Sequence, residues 1–163
     1  MDHLKQPVFE ALRRLGIPYD SYEHPAVFTG EDAEQHWSGI GGRAVKNLFL
    51  RNKKGDREYL VILGIEKRAD LKQLVRIIGD DRFSFGSADR LMQTLGLTPG
   101  SVSPFGLLND NSRRVEVVID ADLRGAERLI FHPNINTASV TISFADLQKF
   151  LASTGNAVRF VTL

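Results

Sequence analysis

Gly100, Ser101, Val102, Ser103, Pro104, Phe105 and Gly106, continued by Leu107, Leu108, Asn109 and Asp110, form a stretch suited to shaping backbone rather than to presenting reactive side chains. Glycine allows left-handed angles and close approach, while proline lacks an N–H and holds the residue before it extended. The peptide N–H groups ahead of Pro104 can then converge on one point, where they would grip a carbonyl or carboxylate oxygen or stabilise an oxyanion. The same residues also make an ordinary surface turn. Composition alone leaves both readings open.

Two further positions could supply chemistry. Lys46, followed by Asn47, enters an otherwise apolar run ending Leu48, Phe49, Leu50, so its stem would be anchored and its ammonium aimed at a rim where it could hold a phosphate or a carbonyl oxygen. An edge-strand lysine that blocks sheet-to-sheet pairing has the same sequence. His132 ends the run Leu129, Ile130, Phe131 and precedes Pro133, a strand terminus of the kind that carries binding residues. A histidine there also serves as a hydrogen-bonded structural residue, and Asn136 and Thr137 as turn formers.

Other chemistries fail on spacing. Gly39, Ile40, Gly41, Gly42 resembles a dinucleotide fingerprint but leads into a strand where that motif must open a helix. Lys46 has no glycine before it and asparagine after it, so there is no phosphate-binding P-loop. Neither Ser101 nor Ser103 sits in a Gly-x-Ser-x-Gly elbow. The four histidines, at 3, 24, 36 and 132, lack paired zinc spacing, and the chain has no cysteine, so neither a metal nor a cofactor is expected.

These residues work only if a fold positions them. The 163 residues, 42% hydrophobic and 25% charged, suit one globular domain over residues 1–163. The absence of cysteine fits a reducing compartment, no apolar run reaches membrane-spanning length, and the first residues lack the apolar core of a signal peptide, which together point to the cytoplasm. A net charge of +1 argues against wrapping long nucleic acid, although a local basic patch would still hold a few phosphates.

Apolar spacing and caps predict helices over residues 6–15, from Thr29 to about His36, after Asp70 with its buried face at Leu71, Leu74, Val75 and Ile78, from Ser87 to Leu95 with Gly96 closing it, and after Ser143. Strands are expected at 19–24, 44–51, 58–64, 82–85, 115–119, 128–131, 139–142 and 159–161. Residues 52–56 should turn a hairpin between the second and third of these, which should lie centrally. Helices and strands alternate irregularly, so an α/β domain with a mixed sheet is favoured over a doubly wound parallel one.

Taken together, Lys46 with Asn47, the sequence from Gly100 to Asp110, the Val115, Val117, Val118, Ile119, Asp120 run and Phe131, His132, Pro133, Asn136, Thr137, Ala138 closely resemble the YbaK/ProX-type prolyl-tRNA editing family. The resemblance spans about residues 9–150. It implies an α/β fold with a mixed, partly barrel-like sheet flanked by helices, and a deacylase that hydrolyses the aminoacyl ester of mischarged tRNA. The free-standing enzymes that clear alanine from proline tRNA are the nearest subgroup. A deacylase for cysteinyl-tRNA(Pro) or another small ester, or a noncatalytic tRNA- or synthetase-binding module, are the alternatives.

The same resemblance implies that the backbone of Gly100, Ser101, Val102 and Ser103 grips the aminoacyl carbonyl and that Lys46 supplies the positioning charge. Asn47, Pro104, Phe105, Gly106, His132, Asn136 and Thr137 then contact the substrate. Its partners are the acceptor end of tRNA(Pro) and, transiently, prolyl-tRNA synthetase, with no membrane and no metal. Arg43, Lys67 and Arg68 are candidates for RNA contact, with Lys72 and Arg76 extending a cluster that also reads as solvated helix charge. Trp37 and His36 are candidates for the acceptor stem, although Trp37 equally suits a core.

Overall fold

The computed structural model describes residues 2–26, 37 and 39–163. The helix expected from Thr29 to His36 falls outside the described residues.

Helix α1 (Asp2–Arg14) begins four residues before the expected start and carries Pro7 inside it. Proline near a helix N-terminus reads as its first residue. Here the chain continues the helix through it, at the cost of the one bond that the missing N–H would make. The helix stops at Gly16, where Gly16 N–H donates to Arg13 and Ile17 N–H to Leu12.

Strand β1 (Asp20–Glu23) follows, then β2 (Arg43–Asn52) and β3 (Glu58–Gly64), which form the expected antiparallel hairpin. Asn52 closes its turn: Oδ1 accepts from Gly55 N–H at 2.9 Å and Arg57 N–H at 3.1 Å. Helix α2 (Leu71–Ile78) is capped by Asp70, whose side chain accepts from the N–H groups of Lys72 and Gln73. Strand β4 (Phe83–Phe85) and helix α3 (Ala88–Leu95) follow. Ser87 caps α3 and Gly96 ends it at φ 68°, a left-handed angle that a side chain would strain.

The expected loop is two tight 3-10 turns, Pro99–Ser101 and Pro104–Asn109. Strands β5 (Val115–Asp120), β6 (Leu129–Phe131) and β7 (Ala138–Ile142), helix α4 (Phe144–Thr154) and strand β8 (Val158–Val161) complete the chain.

The eight strands form one mixed sheet in the order β1-β7-β6-β2-β3-β5-β8, with β4 also paired to β2. Pairs β2/β6, β3/β5 and β5/β8 are parallel and the others antiparallel. The path does not close on itself, so the sheet is open rather than a barrel. Its larger core joins Val45 and Phe49 of β2 to Leu12 of α1, Leu95 of α3, Phe105 and Phe150 of α4. A second cluster on the opposite face packs Leu50 and Leu63 under Leu74 and Ile78 of α2. Among the described residues no helix is long and apolar enough to cross a membrane.

Candidate active site

The turn at residues 100–103 is pinned from several sides. Ser103 is fully buried; its Oγ accepts from Phe105 N–H at 2.9 Å and donates to Asn134 Oδ1 at 3.1 Å. Phe105 is also fully buried and lies edge-on to Phe131 and Phe150, with ring centroids 5.8 and 5.1 Å away. Asn109 and Asp110 finish the tie: Asn109 Nδ2 donates to Leu95 O, and Asp110 accepts from the N–H groups of Arg114 and Val115.

Neither Gly100 nor Gly106 has a positive φ, so the left-handed freedom expected of them is unused. Gly106 is needed for close approach, since a Cβ there would lie 2.6 Å from Leu97 Cδ1, whereas one on Gly100 would make only an ordinary contact, 3.4 Å from Asn136 Nδ2. Pro104, Phe105 and Gly106 are buried and anchor the turn. A substrate-contacting role expected for the Phe105 side chain does not fit a ring with no exposed surface.

The N–H groups of this turn are not equivalent. Ser101 N–H donates to Thr98 O at 2.9 Å and is consumed by the turn. Gly100 and Ser103 have no backbone acceptor among the described residues, and Ser103 is extended (φ −158°) as a residue before proline should be. Donors without a backbone acceptor at both ends of a rigid four-residue turn can serve a partly negative oxygen.

Strand β2 shows how the second component is positioned. One edge pairs β3 from Val45 to Arg51. The other pairs β6 at Arg43 and Ala44, then β4 at Leu50, Arg51 and Asn52. Between them the edge of residues 45–48 has no strand partner among the described residues. Lys46 and Asn47 sit in that gap and, by strand alternation, leave opposite faces. Lys46 shares its face with Ala44 and Leu48. It is half-buried and makes no ion pair or hydrogen bond among the described residues. Asn47 shares its face with Val45 and Phe49, and its buried Oδ1 also lacks a partner. The two do not act as one contact, although they are adjacent in sequence.

The segment 132–137, which leaves β6 beside the gap, contributes to both faces. His132 Nδ1 lies 3.1 Å from Ala138 O; a carbonyl only accepts, so Nδ1 carries the proton and Nε2 is an acceptor. Burial lowers its pKa below the usual histidine value, aided by His24 and opposed by the Ala138 bond. The ring lies 5.5 Å from Trp37, which packs with Ala44 and Ile130. Asn134 and Asn136 instead meet the turn. Thr137 O accepts from His24 N–H, joining the segment to the end of β1.

Residues that spacing did not reveal join this set. Trp37 is buried and its Nε1 donates to Ser139 Oγ at 2.7 Å, and the same Oγ pairs with His24 Nε2 at 2.7 Å. Trp37 is therefore a wall behind His132 and not the exposed acceptor-stem platform considered above; His36 lies outside the described residues. Asn134, left-handed at φ 65°, had only a local signal, the Pro-Asn dipeptide of a turn.

The expected RNA-contacting cations differ in availability. Arg43 bonds Asp122 at 2.8 Å and Glu66 at 2.7 Å. Lys67 bonds the buried Asp120 at 2.6 Å and Asp122 at 3.3 Å. Asp122 and Glu66 raise the Arg43 pKa, Asp120 and Asp122 raise that of Lys67, and Arg43 with Lys67 lowers that of Asp122. These charges are already compensated within the protein. Arg68 is exposed and has no ion pair among the described residues. Among the described residues no group of three or more His, Asp or Glu side chains could hold a metal ion.

A mixed sheet with a pinned turn, and with a strand edge left open at residues 45–48 among the described residues, defines an α/β domain. Residues 24–150 match the model of the aminoacyl-tRNA editing domain, and the chain belongs to that family. It is 43% identical over 159 residues to the prolyl-tRNA editing protein ProX of Acetoanaerobium sticklandii, covering 98% of this chain and 97% of that one. It is 35% identical to the prolyl-tRNA synthetase associated domain-containing protein 1 of Danio rerio, covering 93% of this chain and 83% of that one. A solved structure offered as a trans-editing enzyme for prolyl tRNA synthetase superposes with TM-score 0.72 at 23% identity, covering 98% and 97% of the two chains, and shares the fold.

Proposed function

We propose that this protein hydrolyses the aminoacyl ester of mischarged proline tRNA, with alanyl-tRNA(Pro) as its substrate, acting in trans in the cytoplasm. The observation that carries the reading is the pinned turn whose Gly100 and Ser103 N–H groups have no backbone acceptor among the described residues, in a chain of the editing family. In this mechanism the acyl oxygen lies against those donors. Water attacks the ester carbon, negative charge builds on that oxygen, and the donors stabilise it without rearranging, a contribution of a few kcal/mol per donor (about 2.7–4 where measured). The ester is already reactive, so no covalent nucleophile is required.

The orphaned Asn47 Oδ1 suits the α-ammonium group of the aminoacyl moiety. Lys46, on the opposite face, suits the terminal phosphate as a point charge on a flexible stem. Neutral His132 orients the substrate through Nε2, and the ribose hydroxyl beside the ester passes the proton from the attacking water to the departing ribose oxygen. Discrimination against larger amino acids comes from exclusion, since one methylene is worth only about 1–3 kcal/mol in affinity.

The test is to incubate the protein with proline tRNA carrying alanine, cysteine, serine or proline and to follow each ester. The expected result is rapid loss of alanine, with serine slower and proline retained. Binding of every species without hydrolysis would overturn the enzymatic reading, and preferential loss of cysteine would move the substrate assignment.

A further inference from the structure

Helix α2 and strand β4 frame an open groove of about 720 Å³ lined by Leu71, Lys72, Val75, Arg76, Arg82 and Phe83. Lys72, Arg76 and Arg82 are exposed, and none has an ion pair among the described residues. The carboxylates nearest in sequence are engaged elsewhere. Asp70 caps α2, Asp80 accepts from the Tyr59 hydroxyl at 2.5 Å, and Asp81 accepts from Lys53 N–H at 2.7 Å. By contrast Arg43, Lys67, Arg90, Arg114, Arg128 and Arg159 all bond carboxylates. Lys53, Lys54 and Arg68 are also exposed without an ion pair among the described residues, but Lys72, Arg76 and Arg82 line one groove with Leu71, Val75 and Phe83.

Register connects the groove to the candidate site. Leu50 and Leu63, under α2, lie on the same sheet face as Lys46, and Lys46 pairs with Leu63 across the hairpin. Phe85 pairs with Leu50 and is 61% exposed, an unusual position for a phenylalanine on a strand. Four residue steps along β2 lead from Lys46 to Leu50, roughly 13 Å at ~3.3 Å per residue. A cation, an open aromatic ring and three more cations thus follow one another along one face. Phosphate contacts combined with ring stacking are how proteins hold unpaired nucleic acid.

We propose that this face is an RNA track: Phe85 stacks on a base of the tRNA acceptor end, and Lys72, Arg76 and Arg82 hold backbone phosphates beyond it. The inference rests on the reading of Lys46 and the turn as the site of the 3′ end. It places most of the recognition of the RNA on α2 and β4 rather than on the compensated pair Arg43 and Lys67.

The test measures binding of uncharged proline tRNA by the full chain between 50 and 200 mM salt, for wild type, Lys72→Gln/Arg76→Gln/Arg82→Gln, Phe85→Ala, and a Lys53→Gln/Lys54→Gln control. The triple variant should bind about tenfold more weakly or worse, and its log–log salt dependence should be shallower by about 2, since each lost phosphate contact removes ~0.7–0.9. Phe85→Ala should weaken binding about fivefold or more with the salt slope unchanged, which keeps the test decisive should the triple variant misfold. The control should match wild type. Unchanged affinity and slope in the triple variant, or an equal loss in the control, overturns the track. RNA binding that depends on the groove in a protein hydrolysing none of the charged tRNAs would refute the proposed function and leave this inference standing.

Discussion

Replacing Ser103 by alanine tests whether the turn is held as described. The side chain is fully buried, and its Oγ joins Phe105 N–H and Asn134 Oδ1 at 2.9 and 3.1 Å. Alanine keeps the volume nearly unchanged but strands a donor beside a ring with no exposed surface and an acceptor on a residue 6% exposed. Each buried group left without a partner costs about 1–3 kcal/mol. The sum is about 2–6 kcal/mol, toward the lower end if the Asn134 amide rotates to a new donor. A domain stable by ~5–15 kcal/mol survives that loss. The sole tryptophan, Trp37, reports urea unfolding, and Ser112→Ala at an exposed position supplies the reference, expected within about 0.5 kcal/mol of wild type. Because Ser103 also donates one of the candidate N–H groups, a shift of about 1 Å should lower deacylation roughly 100-fold. A Ser103→Ala protein as stable and as active as Ser112→Ala would refute the pinned-turn account.

Lys46→Ala should abolish most deacylation while leaving the melting temperature nearly unchanged, because the ammonium has no partner among the described residues to lose; full activity removes lysine from the mechanism. His132 has a lowered pKa through burial, so the folded protein takes up its proton less readily than the unfolded chain. Stability is therefore fully present above about pH 6.5 and falls as the pH drops below it, and a His132→Gln variant should flatten that part of the urea-midpoint profile. Ser139→Ala removes the acceptor of the Trp37 N–H and should cost about 1–3 kcal/mol. It should also shift the emission of that tryptophan; an unchanged spectrum and midpoint would contradict its place behind His132.

Local signals were legible wherever the physics is local. The Asp70 cap, the Asn52 turn, the Ser87 cap and Gly96 each act through bonds within five residues, and types and spacing suffice to read them. Apolar-rich runs marked β2 and β3 as central, and the order of motifs carried the family. The start of α1 was placed four residues late because the helical spacing that marked it begins only at Val8.

Phe105 and Gly106 looked like ligand contacts until Leu97, Phe131 and Phe150 closed around them. Lys67 looked like a free cation until Asp120, 53 residues away, came within 2.6 Å. Asn134 gave no sign that it would receive the hydroxyl of Ser103, 31 residues earlier.

The chain by itself determined which backbone would be bent, capped and strand-forming, and which family it joins. Only the tertiary structure decided that β6 and β4 would share one edge of β2 and leave Lys46 and Asn47 in the gap, on opposite faces. Strand partners drawn from residues 83–85 and 129–131 are chosen by packing over long sequence separations, and no short-range pattern encodes that choice.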